Sequence, residues 1–177
     1  ALRRGGRLFF IGAGTSGRLG VLEAAECPPT FSTSPSMVQA IIAGGRGAVF
    51  RSREGAEDRA ADARRIVGRR LRAGDVAVGI AASGVTPFVA EALRTAARRG
   101  AHTVLVSAHP RAAIPAGLRI HLGVGPELLA GSPRLKAGTA TKLVLNMLTL
   151  GTMVQLGKTY GNLMVDVRPT SRKLTAR

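Results

Sequence analysis

Short runs of apolar and β-branched residues alternate along the chain with longer stretches whose apolar positions recur every three to four residues. The short runs predict buried strands, and the longer amphipathic stretches predict helices. Five strands are expected, at 7–11, 38–43, 76–80, 103–106 and 118–122. Helices are expected at 16–25, 55–72, 87–99 and 137–157, the last apolar enough to be buried against its neighbours. Strands that alternate with helices predict an α/β fold, a parallel sheet sandwiched between helices.

The chain length of 177 residues fits one domain over 1–177. The chain does not begin with Met, and its first strand is expected almost at once, so we expect an excerpt that lacks flanking segments. Aromatic residues make up 3% of the chain and hydrophobic residues 45%. Aliphatic side chains therefore have to fill most of the core.

The formal net charge of +16 first suggests a polyanionic partner. The arginines, however, fall mainly on the expected solvent faces of helices. They are interleaved with aliphatic residues rather than with the aromatic side chains on which bases stack. We therefore expect no nucleic-acid partner.

Cys27 is the single cysteine, which excludes an internal disulfide and fits a reducing, cytoplasmic compartment. We interpret it as a packing residue rather than a nucleophile. No apolar run reaches the roughly 18 residues of a membrane helix, so no membrane contact is expected. His102, His109 and His121 are scattered and form no ligand cluster, so no metal is expected.

Residues 12–18, after the first strand, have the G-x-G-x-x-G spacing of a dinucleotide site. That spacing is weak alone, because ribose recognition needs an acidic residue at the end of the second strand, about 20 residues on. The second strand here ends in Ala43-Gly44-Gly45, without a carboxylate. We therefore expect neither NAD nor NADP, and no other cofactor is indicated.

Residues 81–87 form a similar loop after the third strand, and both loops open a helix. Ligands of such sheets bind beyond the carboxyl ends of the strands, where free helix amides and the helix dipole favour an anion. Glycines permit close approach, and hydroxyl groups can donate hydrogen bonds. The predicted phosphate-binding residues are Thr15, Ser16, Gly17, Ser83, Gly84 and Thr86. The alternative is that Ser16 and Ser83 merely cap their helices.

Carboxylates are concentrated between these two loops. Glu26 precedes Cys27-Pro28-Pro29, where the first helix is expected to end. Glu54 and Glu57 flank Gly55 near the start of the second helix. Acidic residues in a first turn also complement the helix dipole, so spacing alone leaves a catalytic role open.

These segments resemble the N-acetylmuramic acid 6-phosphate etherases, a family with the sugar isomerase (SIS) fold. The resemblance covers nearly the whole chain. It is carried by 12–20 (GAGTSGRLG), 26–31 (ECPPTF), 54–58 (EGAED), 80–84 (IAASG), 134–147 (RLKAGTATKLVLNM) and 160–167 (YGNLMVDV). Full-length members have helical segments on both sides of this phosphosugar-binding core, as expected for an excerpt.

The resemblance implies a carbon–oxygen lyase of cell-wall recycling that cleaves the D-lactyl ether of N-acetylmuramic acid 6-phosphate. The products are N-acetylglucosamine 6-phosphate and D-lactate. By the family's motifs, Glu26 protonates the leaving lactate and Glu57 is the second acid/base, with Glu54 the next candidate. Lys136, in the 134–140 segment, joins the substrate-binding residues. A homodimer with the site at its interface is also implied, without a cofactor.

Two segments depart from the family pattern. Val85 stands where a long basic side chain is expected in the Ser-Gly-x-Thr loop, and residues 107–111 differ from the usual Cys-Asn-Pro form. The motifs are also similar to those of the glucokinase regulatory protein, so a non-catalytic sugar-phosphate sensor is the alternative. A sugar-phosphate isomerase or a nucleic-acid-binding regulator fits less well. The Glu-Cys-Pro-Pro segment is foreign to general isomerases, and no helix-turn-helix signature is present.

Overall fold

A computed structural model describes residues 1–167 and contains a five-stranded, fully parallel sheet in the order β2-β1-β3-β4-β5. The strands are β1 Leu8–Gly12, β2 Val38–Ile42, β3 Val76–Ile80, β4 His102–Ser107 and β5 Leu118–His121. The helices are α1 Gly14–Phe31, α2 Gly47–Phe50, α3 Ala60–Arg70, α4 Pro87–Arg98 and α5 Lys136–Gln155. Two short antiparallel strands follow, β6 Thr159–Tyr160 and β7 Leu163–Met164.

Successive side chains of β1 belong to two hydrophobic cores, one on each face of the sheet. Phe9 and Ile11 lie in the core that contains buried residues of α3 and α4. Leu8 and Phe10 lie in the core that contains buried residues of α1 and α5. The predicted sandwich of a parallel sheet between helices is confirmed.

The chain leaves β1 and β3 in opposite directions along the sheet. From β1 it proceeds to β2 on one side, and from β3 to β4 on the other, although β1 and β3 are neighbours. Gly12, the last residue of β1, is in register with Ile80, the last of β3. The two predicted phosphate loops therefore diverge from adjacent strand ends, the usual ligand position in open α/β sheets.

Helices α1 and α5 pack side by side on one face. The buried carboxylate of Glu23 on α1 accepts hydrogen bonds from Asn146 and Thr149 on α5. Near the helix N-termini, Gly138 lies against Thr15, since a β-carbon at Gly138 would be 3.8 Å from the Thr15 methyl group. Both helices thus begin at the carboxyl edge of the sheet.

The expected end of the first helix before Pro28 is wrong. Helix α1 continues through Pro28 and Pro29 to Phe31. Each proline lacks an amide for the helical hydrogen-bond ladder, which normally breaks a helix. Here Cys27 and Phe31 are buried in the α1–α5 core, and this packing holds the last turn in helical form.

The expected helix over 55–72 is two pieces, a 3-10 turn at Ala56–Asp58 and then α3. Gly55 has a left-handed φ of 71°, which no right-handed helix can contain. The short α2 and the β6–β7 pair were not predicted.

The expectation that the last helix is buried holds for one face only. Leu145 and Met153 are buried, whereas Leu143, Met147 and Leu150 are at least half exposed. Within residues 1–167, no helix is both long and apolar enough to cross a membrane.

Candidate functional site

A cleft of about 320 Å³ opens at the carboxyl edge of the sheet, beside the ends of β1, β2 and β3. It is formed by the loops after these strands and by the segment that precedes α5. Its polar side chains are Thr15, Ser16, Arg18, Ser52, Arg53, Glu54, Glu57, Ser132, Thr86 and Arg134. Hydroxyl groups, carboxylates and guanidinium groups therefore share one cavity large enough for a sugar phosphate.

The β1–α1 turn depends on its glycines. A β-carbon at Gly12 would lie 2.7 Å from the Gly17 nitrogen, and one at Gly17 would lie 2.6 Å from the Ile42 side chain. Gly14 has a left-handed φ of 52°. The glycine spacing that resembles a dinucleotide site therefore serves a tight turn that brings Thr15 and Ser16 to the cleft.

Within residues 1–167, no side chain caps the helix N-termini at the ends of β1 and β3. Ala13 is the N-cap of α1 and Thr86 that of α4, and neither side chain makes a capping hydrogen bond. Ser16 lies within the first turn of α1. Ser83 accepts a hydrogen bond from the Val85 amide (3.4 Å), before α4 begins. The capping role considered for both serines is therefore absent here, and the first-turn amides remain available to an anion.

Glu54 and Glu57 both line the cleft, but only one carboxylate has a partner in the described part of the chain. The Ser52 hydroxyl donates to Glu54 Oε1 at 2.7 Å. Glu57 is half-buried on the 3-10 turn, and no side-chain hydrogen bond or ion pair to it is formed within residues 1–167. Ala56 anchors this turn in the core, so the Glu57 side chain is held at the cleft wall.

Sequence reasoning missed five polar residues of the cleft: Arg18, Ser52, Arg53, Ser132 and Arg134. Arg18 Nε donates to the Val49 carbonyl at 2.9 Å, which ties α1 to α2. The chain has 26 Lys and Arg residues, so charge gave no way to single these out. The family motifs could have identified these arginines. Arg18 and Arg134 lie within the motifs, and Arg53 directly precedes EGAED.

Three predicted phosphate-binding residues do not line the cleft. Gly17 is buried, and its amide already donates to the Ala13 carbonyl at 3.2 Å. Gly84 is buried with a left-handed φ of 73°, and a β-carbon there would lie 2.5 Å from that of Ala112. Ser83 is exposed beside it. Thr86, from the same loop, does reach the cleft.

Glu26 is also outside the cleft. It is exposed on α1, twelve residues after Gly14. At 1.5 Å per residue it lies about 18 Å along the helix from Gly14, which lines the cleft at the start of α1. One chain therefore does not bring Glu26 and Glu57 together.

Lys136 is engaged elsewhere, at the start of α5. Its Nζ donates to the Pro126 carbonyl at 2.9 Å. Glu127 accepts hydrogen bonds from the amides of Lys136 and Ala137, both at 2.9 Å. The bond from Ala137, with that from Lys136, lowers the pKa of Glu127. The chain's own carboxylate thus occupies the N-terminus of α5.

Cys27 is buried on α1, and its thiol lies 3.3 Å from the Glu23 carbonyl oxygen, to which it donates. Burial raises the pKa of Cys27 to about 12, and the nearby carboxylates of Glu23 and Glu26 add to the effect. The thiol is therefore protonated at neutral pH and unreactive, as expected of a packing residue.

The family model described as Glucokinase regulatory protein N-terminal SIS domain matches residues 2–97. The chain therefore belongs to this SIS-domain family. The solved structure of a phosphoheptose isomerase from Francisella tularensis is similar in fold to this SIS chain, with a TM-score of 0.60 and 16% identity. That similarity covers 83% of the SIS chain and 76% of the isomerase chain.

Two curated relatives of the SIS chain are much more similar in sequence. The N-acetylmuramic acid 6-phosphate etherase of Gloeobacter violaceus is 60% identical over 180 residues, and that of Nostoc punctiforme 58% over 179. These matches cover 100% and 99% of the SIS chain, but 59% and 58% of the relatives. The chain thus spans about three-fifths of the curated relatives' length, and the resemblance predicted from its motifs is confirmed.

Proposed function

We propose that the protein containing this chain is a cytoplasmic N-acetylmuramic acid 6-phosphate etherase, a carbon–oxygen lyase that recycles cell-wall sugar. The observation that carries the proposal is 57–60% identity, over at least 99% of the chain, to relatives of that name. The cleft supports it independently, because hydroxyl groups, uncapped helix amides and an unpartnered carboxylate lie together there.

The 6-phosphate binds at the N-termini of α1 and α4. Thr15, Ser16 and Thr86 line this part of the cleft, and their hydroxyls can donate to phosphate oxygens. The uncapped amides and the helix dipoles add to the attraction. No cofactor is needed for either binding or reaction.

The reaction is an elimination followed by hydration. In the opened sugar the C2 proton is acidic because it lies beside the aldehyde. Glu57 removes this proton, the C3–O bond breaks, and the lactate oxygen takes a proton from Glu26. Water then adds its hydroxyl to C3 of the unsaturated aldehyde, and a proton returns to C2. The two glutamates must therefore start in opposite protonation states.

Glu57 is a better candidate for the base than Glu54. The Glu54 carboxylate is exposed and is already engaged by the Ser52 hydroxyl, which donates to it at 2.7 Å. Within the described residues Glu57 has no such donor, and it lines the same cleft.

Glu26 reaches the cleft of a second copy in this proposal. It is exposed on α1, next to an apolar face formed by Leu22, Leu143, Met147, Leu150 and Val154, each 47–63% exposed. An apolar face of this kind favours burial against another subunit. A homodimer joined through α1 and α5 would carry the Glu26 of each subunit toward the partner.

The proposal is tested with the full-length protein in deuterated water, by following free lactate and C2 deuterium together. Glu57→Gln should lose about 10²–10⁴ in lactate release and in C2 exchange, since it lacks the base. Glu26→Gln should still exchange the C2 proton while lactate stays attached. Glu54→Gln is the matched control and should retain most of both activities.

Near-normal lactate release by Glu57→Gln would reject it as the base and favour Glu54. Absence of lactate release by the wild-type protein, with sugar phosphate still bound, would reject the enzyme in favour of a non-catalytic sensor. The family description names such a regulatory protein. The etherase relatives match the whole chain, however, whereas the family model of the regulatory protein matches residues 2–97 only. The wider match favours the enzyme.

A further inference from the structure

Arg53 lies at the cleft wall without a counter-ion. Four arginines of α3 and α4 pair with Asp62 or Glu91: Arg64, Arg65, Arg94 and Arg98. Within residues 1–167 no carboxylate lies within ion-pair distance of Arg53, although Glu54 and Glu57 line the same cleft. An unpaired guanidinium group in a cavity is a ready site for an anion.

Two glycines that follow β2 lie against the Arg53 side chain. A β-carbon at Gly47 would lie 2.6 Å from Arg53 Nη2, and one at Gly44 would lie 3.1 Å from Arg53 Cδ. Arg53 is thus folded back across two glycines, and any side chain at Gly47 would displace its guanidinium group. The contact fixes the direction of a residue that is otherwise exposed.

The cleft has two ends of different chemistry. Thr15 lies at the N-terminus of α1, where the proposed phosphate site begins. Arg53 belongs to the other wall, on the segment that carries Glu54 and Glu57. The substrate of the proposed reaction also has two anions, the phosphate on C6 and the carboxylate of the lactyl group. That group is attached to C3, directly beside the carbon from which Glu57 takes a proton.

We propose that Arg53 recognises the lactyl carboxylate and so determines specificity for the muramic acid over other amino-sugar phosphates. The inference rests on the proposed function, since that reaction sets C2 beside Glu57. The planar guanidinium group matches a carboxylate in a two-pronged hydrogen-bonded pair. Arg18 is less suitable because its Nε already donates to the Val49 carbonyl, and Arg134 stands on a different segment from Glu57, directly before α5.

The test compares two ligands that differ in the lactyl group, N-acetylmuramic acid 6-phosphate and N-acetylglucosamine 6-phosphate. Binding of each is measured by calorimetry with the full-length protein carrying Glu57→Gln, which prevents turnover. Adding Arg53→Gln should reduce the preference for the muramic ligand about 10- to 100-fold, the usual worth of a hydrogen bond to a charged group. Affinity for N-acetylglucosamine 6-phosphate should change little.

Two further variants separate a positioned guanidinium group from general charge. Arg51→Gln removes the same charge from an exposed residue that does not line the cleft, and should leave the preference intact. Gly47 has no left-handed φ, so Gly47→Ala is compatible with the fold and should displace Arg53. It should lower the preference as Arg53→Gln does.

The inference is overturned if the parent protein shows no preference or if Arg53→Gln retains it. It is also overturned if Arg53→Gln weakens both ligands equally, because that result indicates a phosphate or structural role. Lactate release by the wild-type protein is measured separately. If the protein prefers the muramic ligand but releases no lactate, the proposed reaction is rejected and the Arg53 assignment is kept. If the wild-type protein releases lactate but Arg53→Gln leaves the ligand preference unchanged, the reaction is kept and the Arg53 assignment is rejected.

Discussion

Ser16 and Ser83 occupy similar positions in two similar loops, but only Ser16 lines the cleft. Ser16→Ala should therefore weaken binding of N-acetylglucosamine 6-phosphate about 10-fold or more, because one hydrogen bond to a charged oxygen is lost. The unphosphorylated sugar should be little affected. Ser83→Ala is the matched control, and calorimetry with both sugars measures the difference. An equal loss for both sugars in Ser16→Ala would contradict a phosphate contact.

At the residue scale, sequence patterns identified loops better than the contacts within them. Glycine spacing located the turns that carry Thr15, Ser16 and Thr86. The glycine spacing could not distinguish Ser83 from Thr86. The choice between their two hydroxyl groups depends on the packing of Gly84 against Ala112, which is a tertiary contact. The position of Glu26, likewise, follows from the length of α1 and not from its motif.

Glu91 joins α3 to α4 through a cluster of ion pairs. Its buried carboxylate accepts hydrogen bonds from Arg64 (3.0 Å), Arg94 (2.6 Å) and Arg98 (3.0 Å), and also from Thr95. Burial alone would raise the pKa of Glu91, but these donors outweigh it and lower the pKa to about 2. The charged carboxylate is therefore more stable in the folded protein than in the unfolded chain.

This depressed pKa predicts a specific pH dependence. The stabilisation is present above the unfolded pKa of about 4.3 and is lost as pH falls through about 2. Glu91→Gln should lower the free energy of unfolding by about 1–2 kcal/mol at pH 7, because the half-exposed arginines are screened by solvent. Urea unfolding at several pH values measures it. A difference from wild type that persists unchanged at pH 2 would contradict the assignment.

At the scale of elements, all five sheet strands could be predicted. Four are short, mostly apolar runs, whereas β5 alternates apolar and polar residues, Leu118-Arg119-Ile120-His121, and is largely exposed. The helix boundaries were harder where tertiary contacts override local preference. Pro28 and Pro29 signal a helix end, yet the burial of Phe31 carries α1 past them. The β6–β7 pair has two residues in each strand, too few for a pattern to emerge.

At the scale of the whole molecule, the position of Glu26 outside the cleft, about 18 Å along α1 from Gly14, predicts a site shared between subunits. Full-length Glu26→Gln and Glu57→Gln proteins should each be inactive alone. After mixing and subunit exchange, lactate release should recover to about one quarter of wild type, since half of randomly mixed dimers are hybrids with one intact site. No recovery despite proven exchange would mean that both glutamates act within one chain.

Three helices, α1, α4 and α5, begin at the same edge of the sheet, but they do not act equally on an approaching anion. Glu127 places a negative charge on the first amides of α5 and cancels its positive end. The contribution of the helix dipoles to the electrostatic potential over this edge is therefore uneven, stronger at α1 and α4 than at α5. A doubly charged phosphate would be steered to the α1–α4 side before it touches the protein, so that the sugar arrives already oriented.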